Sequence, residues 1–471
     1  MTKEIDSDEI SFANLSAVDD VGDVFLWRGR LFRGINYSYG DKIKALLSSD
    51  MVSKLIDCDM FPNSWISDNK LHDYELLVEH EKILNVTYPY EWTFSMLKDA
   101  ALLVLNINSI TQEFNFQTKD CHGFNVVFDN CIPKFVDLGS LEKLDTARSG
   151  WLAYEEFIRW YYYPLYVWST GNEFMARRAQ LGVELMPHHS YLQYRYPISR
   201  VVKNNYVRKV ADNRFIRNKM ACVSEKRIQE KMPKYGKKIF SVLNALRILP
   251  NHRQQITKLK QKINKINKKK SKTIWSNYDD IYFKERDILR TKRFERILEL
   301  VNSYEIESIT DLGCNRGAFA ELLLERTCVN NVVCIDSDEV AVDGIYNRVK
   351  KSKKKITPVL SNFVSPFTTY NGDPPHERLK SDAVISLAVT HHLLLSQKFS
   401  INRVLEIILS YSSSLAFIEF MPLGLWDGVR GQEIPSWYTV DWFREALNLQ
   451  AEVILEEKLE ENRVIFVARK K

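Results

Sequence analysis

From about residue 276 onward, apolar runs of strand length alternate with stretches of helical periodicity, which restricts this part of the chain to a layered α/β sheet. Ile306 to Leu312 reads as a strand, Ala318 to Glu325 as a helix, Val332 to Ile335 as a strand, Val340 to Lys350 as a helix and Thr357 to Leu360 as a strand. Ala383 to Ala388 and Leu415 to Glu419 are further strands, separated by the helix Ile401 to Tyr411. At the end, Glu452 to Leu459 and Arg463 to Ala468 flank a polar turn, which predicts an antiparallel hairpin closing a parallel βα sheet.

The first strand of this series runs into Asp311-Leu-Gly313-Cys-Asn315-Arg-Gly317 and then a helix. Glycines at a strand-to-helix turn let the backbone approach a ligand closely, and the helix amides beyond face a polar or anionic group. About twenty residues after the first glycine the second strand ends in Asp336, where an acid accepts hydrogen bonds from ribose hydroxyls in nucleotide-binding sheets. An acid ahead of the glycines suits a ligand with an α-amino group better than a pyrophosphate.

On these residues the chain resembles the class I S-adenosylmethionine-dependent methyltransferases, a Rossmann-like fold whose sheet ends in such a hairpin. The resemblance implies that Asp311, Gly313 and Gly317 hold the methionine part of S-adenosylmethionine, that Asp336 holds its ribose, and that Asn362 lies toward its adenine. Asn315 stands where the family has its middle glycine, and asparagine tolerates the left-handed conformation such a turn needs. The fourth strand ends in Ser386-Leu-Ala-Val-Thr-His391-His392, at the carboxyl edge where open parallel sheets present reactive groups. Two roles are open to these histidines: general base toward an acceptor hydroxyl, or packing and cofactor contact. Glu419, ending the fifth strand, is a second candidate for substrate contact, and no D/N-P-P-Y sequence points to adenine methylation.

At 471 residues the chain is too long for one ordinary core, and two or three domains are expected. Residues 1–170 mix short strands and helices: a hairpin at Val24 to Phe32 around Gly29, a helix at Ser95 to Leu105, strands at Phe124 to Phe128 and Pro133 to Leu138, and a buried aromatic helix at Trp151 to Trp168. Asp120, four residues, Asn125, a strand pair and then Asp137-Leu-Gly resemble the catalytic and magnesium loops of kinase-like folds. That resemblance implies Mg-ATP, with magnesium at Asn125 and Asp137, but there is no G-x-G-x-x-G loop and no V-A-I-K strand upstream. The segment therefore reads as a degenerate kinase-like α+β domain.

Residues 171–275 read as a helical connector, and 276–471 as the methyltransferase domain. Between Arg195 and Lys272 there are 24 Lys or Arg and three acids, so the +6 of the whole chain conceals one strongly cationic segment within an acidic remainder. Ile256, Leu259, Ile263 and Ile266 form a narrow apolar stripe on this basic helix, a stripe that must dock on something. The charge fits RNA, DNA or an anionic membrane surface, or else a solvated connector facing the acidic domains; the connector is favoured.

The acidic N-terminus has no apolar core of a signal or transit peptide, and no run approaches the roughly 18–20 apolar residues of a spanning helix. Seven cysteines without a C-x-x-C pair point to a reduced, cytoplasmic protein without structural zinc. The stretch Tyr88-Pro-Tyr-Glu-Trp, with Lys119 to Asn125, Phe135 to Asp137 and Trp151 to Leu165, resembles a bacterial methyltransferase group that includes rhizobial host-specific nodulation proteins. This resemblance implies methyl transfer to a hydroxyl or amine of a small-molecule or glycan-type acceptor. The competing functions are RNA methylation through the basic segment and phosphotransfer by the N-terminal domain.

Overall fold

The computed structural model describes residues 4–13, 20–144, 150–182, 184–195, 251–268, 292–369, 372–425, 431 and 433–471. The chain divides into two compact units, one of residues 1–84, 88–90 and 96–269, the other of 85–87, 91–95 and 270–471.

The first unit opens with a five-stranded antiparallel sheet in the order β1-β2-β3-β5-β4, made of β1 (Ile10–Phe12), β2 (Gly22–Trp27), β3 (Arg30–Ile35), β4 (Ser64–Ile66) and β5 (Leu76–His80). The hairpin turn between β2 and β3 is Arg28-Gly29, both at positive φ, as a two-residue hairpin turn requires. Two small ladders follow: β6 (Phe116–Thr118) pairs with β9 (Leu141–Lys143), and β7 (Val126–Asp129) with β8 (Ile132–Phe135). The β7–β8 turn is Asn130-Cys131, again with two positive φ values (45° and 69°). β7 and β8 are shorter than the sequence suggests, because Phe124 belongs to a helical turn at Gly123–Asn125 and Leu138 to another at Leu138–Ser140, which Asp137 caps. The aromatic stretch from Trp151 is helical from Tyr154 to Ser169, with a π turn at Ile158–Tyr162.

Most of the basic connector, including residues 196–250 and 269–275, lies outside the described residues. Its described helix, His252–Lys265, starts at an Asn251–Gln254 capping box. Ile256, Leu259, Ile263 and Ile266 are buried in the first unit, and the Gln255 side chain accepts a 2.8 Å bond from the Trp151 amide. The stripe docks because its four side chains can leave water only together, on one face.

The second unit is a Rossmann-like α/β sheet of seven strands in the order β12-β11-β10-β13-β14-β16-β15. β10 (Ser308–Leu312), β11 (Asn331–Asp336), β12 (Ile356–Leu360), β13 (Ser381–Ser386) and β14 (Ser412–Phe420) are parallel; β15 (Ala451–Glu460) and β16 (Arg463–Lys470) are antiparallel to their neighbours. The central strands are buried along nearly their whole length, as a sheet covered on both faces demands. Covering helices begin at side-chain caps: Asp338 for Glu339–Ser352, Ser400 for Ile401–Ser410 and Thr439 for Val440–Gln450. Edge strand β15 alternates inward and outward residues and carries Glu452, Glu456, Lys458 and Glu460, charges that discourage edge-to-edge pairing. In the same unit, buried Glu91 pairs with Arg378 at 2.6 Å, which ties residues 91–95 to it. Among the described residues no helix is long and apolar enough to cross a membrane.

Candidate active site

The carboxyl ends of β10, β11, β12 and β13 open into a cleft of about 810 Å3. That volume lies within the usual range for a small-molecule site. The turn after β10 forms one wall. Gly313, Asn315 and Gly317 all have positive φ (75°, 49° and 70°), so the chain reverses sharply before the helix Ala318–Arg326. A Cβ on Gly313 would lie 2.5 Å from Cγ2 of Val389. Gly313→Ala combines that clash with the left-handed backbone cost, about 1–2 kcal/mol. Calorimetry is expected to show the affinity of the cleft for its ligand falling by tenfold or more.

Asp336 ends β11 with its carboxylate fixed: Oδ2 accepts from the Asn315 amide and Oδ1 from the Asp338 amide, both at 2.9 Å. Burial raises its pKa while these amide bonds hold it down, and each oxygen keeps a lone pair for a ligand hydroxyl. The buried Oδ1 of Asn315 has no partner among the described residues, although the residue lines the cleft. Asn362 lines the next part of the wall and accepts from the Val364 amide at 3.1 Å. Asp311 and Gly317 stand behind this wall rather than in it. Asp311 is buried, and its pKa rises to about 7, first through burial and then through the charge of Asp336.

The opposite wall is the end of β13. Leu387, Ala388 and Val389 line it, and Ala388 has φ 55°, a strained conformation for an alanine. His391 and His392 follow with ring centroids 4.1 Å apart. His391 is buried, its Nδ1 lacks a partner among the described residues, and its pKa drops to about 3 through burial, His392 and Arg463, in that order. His392 is half-buried, and burial lowers its pKa too. Both rings are thus neutral at neutral pH, and His392, the more open of the two, is the better placed to accept a proton.

The expectation that Glu419 touches substrate is corrected. Its side chain is 0% exposed, and its carboxylate is spent on Arg293 (Nε 2.6 Å, Nη2 2.8 Å) and Arg463 (Nη1 2.7 Å). Arg463 itself lines the cleft. Sequence reasoning missed both arginines and Ala388: no motif marks them, and only tertiary pairing brings Arg293 to Glu419.

In the first unit, Asn125 and Asp137 do meet, with Asn125 Nδ2 donating to Asp137 Oδ2 at 3.4 Å. Magnesium does not fit there. Asp137 Oδ1 already accepts from the Gly139 amide (2.9 Å) and from Arg33 Nη1 (3.4 Å), and Oδ2 accepts from Asn125 and the Ser140 hydroxyl. Four donors, one of them cationic, take the carboxylate's four lone-pair directions. Asp120 takes no part in this set among the described residues, and no three His, Cys, Asp or Glu among them are grouped to hold a metal ion. Manganese titrated into the full chain and followed by electron paramagnetic resonance is expected to show no stoichiometric site; one that Asp137→Ala abolishes would overturn this.

The chain is similar over nearly its whole length to one curated protein. Nodulation protein NoeA of Rhizobium meliloti (strain 1021) is 24% identical over 462 residues, covering 93% of this chain and 91% of NoeA. No family model matches. Among solved structures, an S-adenosylmethionine-dependent methyltransferase from Clostridium acetobutylicum ATCC 824 aligns with 41% of this chain and 96% of its own, at 10% identity and a TM-score of 0.31. The N-methyltransferase NodS from Bradyrhizobium japonicum WM9 aligns with 41% of this chain and 98% of its own, at 15% identity and a TM-score of 0.28. The strand order and the cleft stand on their own geometry.

Proposed function

We propose that the second unit binds S-adenosylmethionine in this cleft and transfers its methyl group to a hydroxyl or amine of a small-molecule or glycan-type acceptor. The observation that carries this reading is the Asp336 carboxylate, held by two backbone amides beside a left-handed glycine turn whose Asn315 oxygen lacks a partner among the described residues. Such an arrangement suits a nucleoside: Asp336 accepts from the ribose hydroxyls, the turn takes the methionine end, and the Asn362 segment flanks the base.

The cofactor supplies a sulfonium methyl that is already strongly electrophilic, so the chain's task is alignment and proton management. His392 accepts the proton when the acceptor is a hydroxyl, and neutral His391 packs behind it without adding charge. Calorimetry with S-adenosylhomocysteine tests the assignment. Wild type is expected to bind, and Asp336→Ala to bind at least tenfold more weakly, since hydrogen bonds to a charged group contribute about 1.5–3 kcal/mol. Equal binding by the two proteins would overturn the assignment.

A further inference from the structure

We propose that the acceptor carries an anionic group, a carboxylate or a phosphate ester, and that Arg463 holds it. The proposal rests on the methyltransferase reading only for which end of the cleft receives the acceptor. At the nucleoside end stand Asp336 and Asp338, which repel anions. At the other end, near His391, His392 and Met421, the cationic residue in the wall among the described residues is Arg463.

The surroundings of Arg463 leave one edge of its guanidinium without a carboxylate partner among the described residues. Buried Glu419 is shared between Arg293 and Arg463, whose side chains are only 12% and 19% exposed, so one carboxylate faces two guanidinium groups. Glu460, 46% exposed, pairs with Arg463 Nε at 3.1 Å and so occupies a different edge of the guanidinium from Glu419. His391 and His392 are neutral, because burial holds their pKa values down. With Arg293 and Arg463 matched by Glu419 and Glu460, what remains is an open guanidinium edge in a partly enclosed space, where a ligand oxyanion gains charge-assisted hydrogen bonds.

The guanidinium is also oriented for such a ligand. Nη1 is used by Glu419 and lies 3.8 Å from the Met421 sulfur, and Nε faces Glu460. Nη2 has no protein acceptor among the described residues, so its two N–H groups remain available. Arg293 grips Glu419 through two bonds and so fixes the plane in which Arg463 lies. An arginine locked on one edge and open on the other is preorganised to bind an oxyanion.

The test uses the full chain saturated with S-adenosylhomocysteine and labelled at histidine side chains. Calorimetry comes first: a wild type that fails to bind S-adenosylhomocysteine defeats the cofactor reading and is seen before any anion is added. Methyl phosphate, acetate and neutral acetamide are then titrated while the His391 and His392 ring resonances are followed by nuclear magnetic resonance. At least one of the two anions is expected to shift both rings saturably, and acetamide to leave them unmoved. Arg463→Gln should weaken the anion by roughly tenfold or more, and Arg463→Lys, which keeps a cation beside Glu419, by less. Tighter binding of methyl phosphate assigns a phosphate ester; tighter binding of acetate assigns a carboxylate. Rings that respond to neither anion, or anion binding that survives unchanged in both Arg463 variants, would overturn the proposal.

Discussion

Glu419→Ala is expected to destabilise the second unit by about 3–5 kcal/mol, the usual consequence of removing one partner from a buried ion pair. The wild-type carboxylate is 0% exposed and receives three charge-assisted bonds, from Arg293 at 2.6 and 2.8 Å and from Arg463 at 2.7 Å. Its loss leaves two guanidinium groups facing each other with nothing between them. For a unit of this size the fall in melting temperature should be on the order of 10 °C. Glu419→Gln, which keeps the shape and an acceptor oxygen but loses the charge, should cost less. Arg293→Met in the Glu419→Ala background should recover part of the loss, because it removes one of the stranded cations. A catalytic Glu419 would behave otherwise, giving a variant that melts like wild type and fails only in turnover. Chemical denaturation of the two proteins separates the cases, and a loss below about 1 kcal/mol would return Glu419 to the list of reactive groups.

The contrast between Glu419 and Asp336 shows where the sequence is informative. Both acids end strands of the same sheet, and both looked like site residues. Asp336 is engaged by its immediate neighbourhood: the glycine turn one strand over and the amide two residues on. Such local geometry follows from residue type and spacing. Glu419 is engaged by a helix residue 126 positions earlier and by the start of β16, pairings that no periodicity records. The same holds for Asp137, whose Arg33 partner lies 104 residues away. The strands themselves were legible because burial on both faces writes an uninterrupted apolar run: Val332 to Ile335 falls inside β11, and Thr357 to Leu360 inside β12. The left-handed Ala388 and the π turns at Ile158–Tyr162 and His392–Ser396 were not legible, since no residue type there demands them. These are conformations that surrounding packing imposes.

Cofactor affinity is expected to rise with pH between about 5 and 7 and to level off above 7, with Asp311 as the cause. In the free protein Asp311 is buried and its pKa stands near 7, so over this range it is largely protonated. The unfolded chain holds the same carboxyl near its ordinary value of about 4. The folded state therefore binds the extra proton; Asp311 favours folding at low pH, and that contribution is lost as pH rises through about 7. An ionised Asp311 without a counter-charge costs the fold on the order of 4 kcal/mol. A ligand carrying an ammonium group on the glycine turn supplies that counter-charge and binds the ionised form, so binding releases a proton below pH 7. The slope should approach tenfold in affinity per pH unit at the acid end of the window. Calorimetry in buffers of different ionisation enthalpy should register the released proton directly. Asp311→Asn removes the titration and should give a weaker, pH-independent affinity, with stability at pH 8 equal to or above that of wild type. Asp336 titrates beside it, but the Asn315 and Asp338 amides favour its ionised form and keep its share of the slope smaller. An affinity that stays flat from pH 5 to 7 in the wild type would remove Asp311 from the cofactor site.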